Sequence, residues 1–352
     1  MDAILTYDLS KEYKGNWALD GLNLQVPEGQ ILACVGGKKA GKTTLIRLLS
    51  GLCRPSAGEA VVLGFSPFFE ADKLHAVTGT VLDTAHLYQK MTLTANLRFF
   101  AGINGIDEND ALDRMSFLLH KLDIWEGRDE PVDDLPTDVL RRASLARALM
   151  HRPKVLLLDE PAQGLDQETA DSVRSLLTYL TEQEGVTVLV CTEDMRFAQR
   201  LGDEFLLLHD GVMMAKGNAE ALRKNAGVRY RAVLRLGEEE TAPKGFRLAD
   251  GVWEKEIKSE EELPKIISQA VANGSKLYEA KLIKPKLEEI YTAYLTGGAQ
   301  RMDEIDEQDD EYEEQTGIPE EGSFQSSGTD FPDDPADEVG ERTEYATDGS
   351  DE

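Results

Sequence analysis

Along the first 225 residues, short apolar runs alternate with stretches whose apolar positions recur at helical spacing. That alternation predicts layered α/β structure. The strand candidates are Leu22–Val26, Gln30–Gly36, Thr78–Asp83, Lys154–Asp159, Val186–Cys191 and Glu204–His209. The runs ILACV, VLLLD and VTVLV are too continuously apolar for half-exposed strands, so they read as a parallel sheet covered on both faces. Sheets of this kind bind ligands beyond the C-terminal ends of their strands, which is where the polar motifs of this chain fall.

Charge separates the rest of the chain. Residues 301–352 hold 21 Asp/Glu and 2 Lys/Arg, so they carry −19 of the chain's −28. With few large apolar residues, that tail cannot bury enough surface to offset its ordering entropy, and it is expected to be disordered. The remaining 300 residues, with 45 acids and 36 bases, have an ordinary globular balance. The expected division is a layered α/β region at 1–225, an accessory region at 226–298 and the acidic tail at 299–352. The acidity and the lack of a basic stripe argue against nucleic acid as a partner. No apolar run approaches the roughly 18 to 20 residues of a membrane span, and no signal peptide is visible, so a cytoplasmic chain is expected. Cys34, Cys53 and Cys191 are scattered; Cys34 and Cys191 fall in apolar runs and read as small core residues.

Two motifs carry chemistry. Gly36-x4-Gly41-Lys42-Thr43 lies between a strand and a helix pattern, the context of a phosphate loop. The loop Gly36, Gly37, Lys38, Lys39, Ala40, Gly41, Lys42, Thr43 and Thr44 would cradle phosphates with backbone N–H groups at a helix N-terminus. Lys42 would reach the terminal phosphates and the Thr43 hydroxyl would ligate Mg2+. The second motif is VLLLDEP, where Asp159 ends a strand and is placed to hold Mg2+ through water, with Glu160 beside it as the base for an attacking water. Taken alone, two acids after an apolar strand also suit solvated strand-end charges.

These residues and their surroundings resemble the ATP-binding cassette (ABC) transporter ATPases, in the drug-exporter-like branch whose permease is a separate polypeptide. The resemblance runs from residue 4 to about 225, through ALDGLNLQVPEGQILACVGGKKAGKTTLIRLLSGLCRPSAGEAVVLG and LRRASLARALMHRPKVLLLDEPAQGLD. It implies a P-loop NTPase with a parallel sheet, an antiparallel subdomain and a helical subdomain, followed by a small α+β C-terminal domain. Tyr13 sits where the family stacks an aromatic on adenine, and Leu165-Asp166 match its D-loop. KLEEIYTAYLTG at 286–297 is similar to the helix that closes the C-terminal domain of that branch.

The departures from the family pattern matter as much. Lys39 replaces a loop glycine, which costs on the order of 1 kcal/mol if the position needs positive φ. Asp83 replaces the glutamine that contacts Mg2+ and the water. The signature LSGGQ becomes Leu135-Pro136-Thr137-Asp138-Val139. In the family its amides approach the γ-phosphate held by the partner subunit. A carboxylate there would oppose each phosphate charge by roughly 3 kcal/mol at ~6 Å and an effective dielectric of ~20. The same stretch also suits a helix start, with Pro136 at the first helical position and Asp138 in the first turn. Where the family places a γ-phosphate-bonding histidine, this chain has Glu193; His151 and His209 are the nearest histidines in sequence.

Two functions follow from the resemblance. One is a transporter ATPase subunit that binds ATP and Mg2+, dimerises with a second ABC-type subunit, hydrolyses slowly through Glu160 with Asp83 and Glu193 at the γ-phosphate, and drives an export permease through a surface helix near 94–122. It would sit peripherally on the cytoplasmic face of the membrane. The other is a degenerate cassette that binds ATP and supports an intact partner without hydrolysis.

Overall fold

The computed structural model describes residues 2–82, 87–237, 244–249 and 251–297. The disordered-tail expectation, and Asp83, lie outside the described residues. In chain order the elements begin β1 (Asp2–Tyr13), β2 (Asn16–Pro27), β3 (Ile31–Val35), α1 (Lys42–Leu49), β4 (Ala57–Val62), α2 (Ala71–His75) and β5 (Thr78–Val81). Three helices follow, α3 (Leu93–Ile103), α4 (Glu108–Lys121) and α5 (Thr137–Leu149). The chain then runs through β6 (Val155–Asp159), α6 (Gln167–Glu184), β7 (Thr187–Thr192), α7 (Met195–Leu201), β8 (Glu204–His209), β9 (Val212–Gly217) and α8 (Ala219–Asn225). Last come β10 (Tyr230–Leu236), β11 (Arg247–Ala249), β12 (Val252–Ile257), α9 (Glu262–Ala272), β13 (Leu277–Ile283) and a helix, α10, at 287–297.

The strands form three sheets. The central one has the order β5-β6-β7-β3-β8-β9. It is parallel except for β9, which pairs antiparallel with β8. Every residue of β3, β6 and β7 is buried, as their unbroken apolar runs require of a sheet covered on both faces. Register brings Asp159 opposite Cys191, and Cys191 opposite Cys34, so the C-terminal ends of β6, β7 and β3 align at one edge. A second sheet, β2-β1-β4, is antiparallel and packs with α1 over one face of the central sheet.

Helices α3 to α6 pack with the other face of the central sheet. Polar groups fix this part as firmly as apolar ones. Asn96 is fully buried; its Oδ1 accepts from Tyr88 N at 2.7 Å and its Nδ2 donates to Tyr88 O at 3.0 Å. Arg114 clamps α4 to the end of α6 through both oxygens of Glu184, at 2.7 and 3.0 Å. The stretch near 94–122, expected as one surface helix, is two: the chain leaves α3 at Ile103 and restarts at Glu108, where the Asp107 side chain accepts from Asn109 N.

The third sheet, β11-β12-β10-β13, is antiparallel and encloses a small core with α9, giving the α+β region expected at the C-terminus. The helix that follows does not join that core. Leu287, Ile290 and Tyr291 of α10 pack among Ala33, Val35, Phe205, Leu207 and Leu222 of the nucleotide-binding region. The sequence expectation had this helix closing the C-terminal domain. Its apolar face at i, i+3, i+4 could not indicate which core it would cover.

Candidate functional site

The turn after β3 is shaped by what cannot fit. A Cβ at Gly36 would run into the Leu208 carbonyl oxygen and crowd Ala40, and one at Gly41 would meet the Ala18 carbonyl oxygen. Gly41 also has φ of 103°, a conformation that favours glycine. Lys39 has φ of 65°, so the position does demand the left-handed region, and the strain expected of a non-glycine there is present. The loop feeds into α1 at Lys42, with Leu45 N donating to Gly41 O at 2.9 Å.

Lys42 is buried and tightly partnered. Its Nζ donates to Gly36 O and Gly37 O, each at 2.8 Å, and lies 3.5 Å from Glu193 Oε1 and 3.8 Å from Glu160 Oε1. The two carboxylates reach it from the ends of neighbouring strands. Glu160 follows β6 with φ of 48°, and its N–H donates to Cys191 O at 2.8 Å. Its carboxylate accepts from Thr192 Oγ1 at 2.8 Å and from Glu193 N at 2.9 Å. Burial pushes the Glu160 carboxyl above the usual glutamate range and the Asp159 charge adds to the shift; the Thr192 bond and the Lys42 ammonium only partly counter it.

Lys39, Ala40, Gly41, Lys42, Thr43, Thr44, Glu160 and Glu193 line one cleft of about 320 Å3, together with Ala18 and Gln163. Gly36 and Gly37 are not among the lining residues; they act on the cleft only through the carbonyls that hold Lys42. Asp159 is buried at the end of β6 beside Glu160. Lys38 is exposed on the loop's outer side. Tyr13 is not among the lining residues: its hydroxyl donates to Cys53 Sγ at 3.7 Å, the Lys11 ammonium stands 5.0 Å over its ring, and burial pushes its pKa up to about 12. His151 bonds Thr78 O at 3.0 Å and His209 approaches Tyr291, so neither histidine lines the cleft. Sequence reasoning missed Ala18 and Gln163. Gln163 could have been found from the chain itself, since it lies three residues past Glu160 and its N–H donates back to Glu160 O.

A glycine-lined cradle, a buried lysine and two strand-end carboxylates together fit a nucleotide triphosphate. The Thr43 hydroxyl and the Asp159 carboxylate supply oxygen donors of the kind Mg2+ takes. The comparisons agree. Residues 19–163 match the ABC transporter family. Over 318 residues the chain is 31% identical to the daunorubicin resistance ATP-binding protein DrrA3 of Streptomyces coeruleorubidus, covering 86% of this chain and 99% of that one.

The chain belongs to the ABC transporter ATP-binding proteins.

Other relatives include the bacitracin transport ATP-binding protein BcrA of Bacillus licheniformis, 29% identical over 63% of this chain and 71% of that one. The fold is shared with CbiO1 of Clostridium perfringens, described as part of the ABC transporter complex cbiONQ, with a TM-score of 0.56 and 25% identity over 63% of this chain and 94% of that chain. This protein is therefore an ATP-binding subunit of ABC type and, by family, an ATPase.

Within this ABC cassette the altered signature forms an ordinary helix start. Pro136 is the cap residue of α5 and not its first helical residue; its carbonyl accepts from Leu140 N at 2.9 Å. Asp138 lies in the first turn, 2.6 Å from Arg142 Nη2, and the same guanidinium donates to Leu122 O and Asp123 O. A carboxylate in the first helical turn is favoured by the exposed N–H groups, and the arginine one turn on adds to that.

Proposed function

We propose that this subunit binds Mg-ATP in the cleft around Lys42, dimerises with a second ABC-type subunit when ATP is bound, and couples slow hydrolysis to a separate export permease, standing peripherally on the cytoplasmic face of the membrane. The single observation carrying this reading is the buried Lys42 ammonium held between the loop carbonyls and Glu160. The drug-resistance and bacitracin-transport names of relatives support export, and membership of CbiO1 in a larger transporter complex supports a separate permease. Among the described residues no helix is long and apolar enough to cross a membrane, and in this reading the permease partner supplies the membrane spans. The exposed Tyr88, Phe99 and Ile103, beside and along α3, give that partner an apolar surface.

Lys42 and the loop amides hold the phosphates, and Tyr13, at the end of β1, supplies an aromatic face for adenine. Glu160 accepts a proton from the attacking water as the γ-phosphorus to bridging-oxygen bond breaks, leaving ADP and phosphate. Its raised pKa brings the base closer to working pH. Mg2+, held by Thr43 and Asp159 with Asp83, would neutralise phosphate charge. Glu193 favours the second reading, a cassette that binds without turning over, because its carboxylate competes with phosphate for Lys42.

Two measurements separate these readings. A fluorescent ATP analogue titrated against wild type and Lys42→Ala should bind at least about tenfold more weakly to the variant; equal affinity would remove the phosphate-loop assignment. Phosphate release at saturating Mg-ATP should rise at least about tenfold when Glu193→His is combined with Pro136→Ser, Thr137→Gly and Asp138→Gly, and adding Glu160→Gln should abolish the gain.

A further inference from the structure

Far along the chain, Leu287, Ile290, Tyr291 and Tyr294 fall at i, i+3, i+4 and i+7, one face of α10. That face buries its apolar parts in a cluster with residues of β3 and β8, and Tyr291 is part of that cluster with Val35, Phe205 and Leu207. A phenylalanine would fill the same space. The hydroxyl therefore needs its own explanation, since burying one without partners is costly.

The hydroxyl of Tyr291 emerges behind the phosphate loop. It donates to Leu208 O at 3.1 Å and lies 3.3 Å from His209 Nδ1. The Leu208 carbonyl is the same group that leaves no room for a Cβ at Gly36. In the turn that follows β8, Gly211 N donates to Ala40 O at 3.1 Å. The Leu208–Gly211 stretch thus backs the loop at Gly36 and is bonded to it at Ala40, and Tyr291 ties α10 to that stretch at Leu208.

The helix is itself tied to the opposite side of the cleft. Leu287 N donates to the Gln199 side chain at 3.1 Å, and Arg196 lies 3.7 Å from Glu288. Both Arg196 and Gln199 belong to α7, which begins two residues after Glu193.

We propose that Tyr291 is a positioning residue for the phosphate loop, so that α10, from beyond the third sheet, sets the affinity of the cleft for nucleotide. The inference rests on the reading of that cleft as the ATP site. Lys42 draws two of its hydrogen bonds from the Gly36 and Gly37 carbonyls, so a loop released at these residues also releases the ammonium that meets phosphate. Coupling is reciprocal: if α10 tightens nucleotide binding, nucleotide must tighten α10.

The test uses the full chain and a fluorescent ATP analogue with Mg2+. Tyr291→Phe keeps the ring and removes the hydroxyl; it should weaken binding about three- to tenfold, the range set by one or two buried hydrogen bonds. Tyr294→Phe is the control, because its hydroxyl donates to Leu222 O at 3.3 Å, away from the loop. It should lower the melting temperature by a similar amount and leave affinity within about twofold. Binding by Tyr291→Phe within twofold of wild type, while Lys42→Ala loses it, would overturn the inference and leave the ATP site standing. Equal binding by wild type and Lys42→Ala would instead remove the ATP site itself. If Tyr291→Phe does not fold, hydrogen exchange on the wild-type chain decides: saturating Mg-ATP should slow the amides at 287–297, and unchanged exchange there overturns the proposal.

Discussion

Lys42 is the residue on which the cleft turns, and its surroundings are opposed. Two carbonyls orient it, while Glu160 and Glu193 compete for its charge at 3.8 and 3.5 Å. Glu193 is partly exposed, so solvent weakens its pairing with the buried Lys42. Its like-charge effect on a bound phosphate adds to the competition. Glu193→Gln should therefore raise affinity for Mg-ATP at least about threefold, read by titration; unchanged or weaker binding would show that the carboxylate does not compete. Glu160 gives a second expectation. Burial raises its pKa, so the ionised form that can accept a proton is populated only as pH climbs through a value above that of an ordinary glutamate. The acid limb of kcat/KM for phosphate release should accordingly lie above pH 4.5. A limb at or below that value would assign the base elsewhere.

At the scale of elements, the phosphate loop is held by close backbone approach more than by side chains. Gly36 abuts β8 at Leu208 and Gly41 abuts β2 at Ala18. Gly36→Ala has no flexible neighbour to push aside, because the obstacle is the Leu208 carbonyl; the loop itself must shift. Loss of at least about tenfold in nucleotide affinity is expected, with a smaller change in melting temperature, since a shift near 1 Å in a positioning element costs far more in binding geometry than in packing. Wild-type affinity in Gly36→Ala would mean that the loop tolerates displacement from β8.

For the whole molecule, α10 makes the C-terminal part of the chain a structural partner of the nucleotide sheet. Leu287, Ile290 and Tyr291 are almost fully buried. Side chains of this kind contribute about 1.5–3 kcal/mol each when covered. A chain ending at Ile283 should lose at least about 3 kcal/mol of stability in urea unfolding, discounting for residual burial in the unfolded chain. A chain ending at Gly297 should match the full-length protein. Equal stability of both truncations would show that α10 contributes nothing to the core it covers.

The sequence by itself determined the layered fold, the strands of the central sheet, the phosphate loop and the Asp159-Glu160 pair. Each of these is written in contiguous residues: ILACV and VLLLD can only be buried strands, and Gly36 to Thr43 need only their own backbone to make a loop before a helix. The placing of Asp138 in a first helical turn was legible too, whereas its pairing with Arg142 one turn on came from the structure. Other features depended on chain topology. The splitting of 94–122 into two helices, the antiparallel β9 edge and the placing of Tyr13 against Cys53 follow from packing partners that local periodicity does not name. Glu193 meets Lys42 across 151 positions, and Tyr291 meets Leu208 across 83. An amphipathic helix specifies that one face must be buried. Which surface buries it is a property of the assembled sheet, and only the tertiary structure decided that this helix would lie behind the phosphate loop.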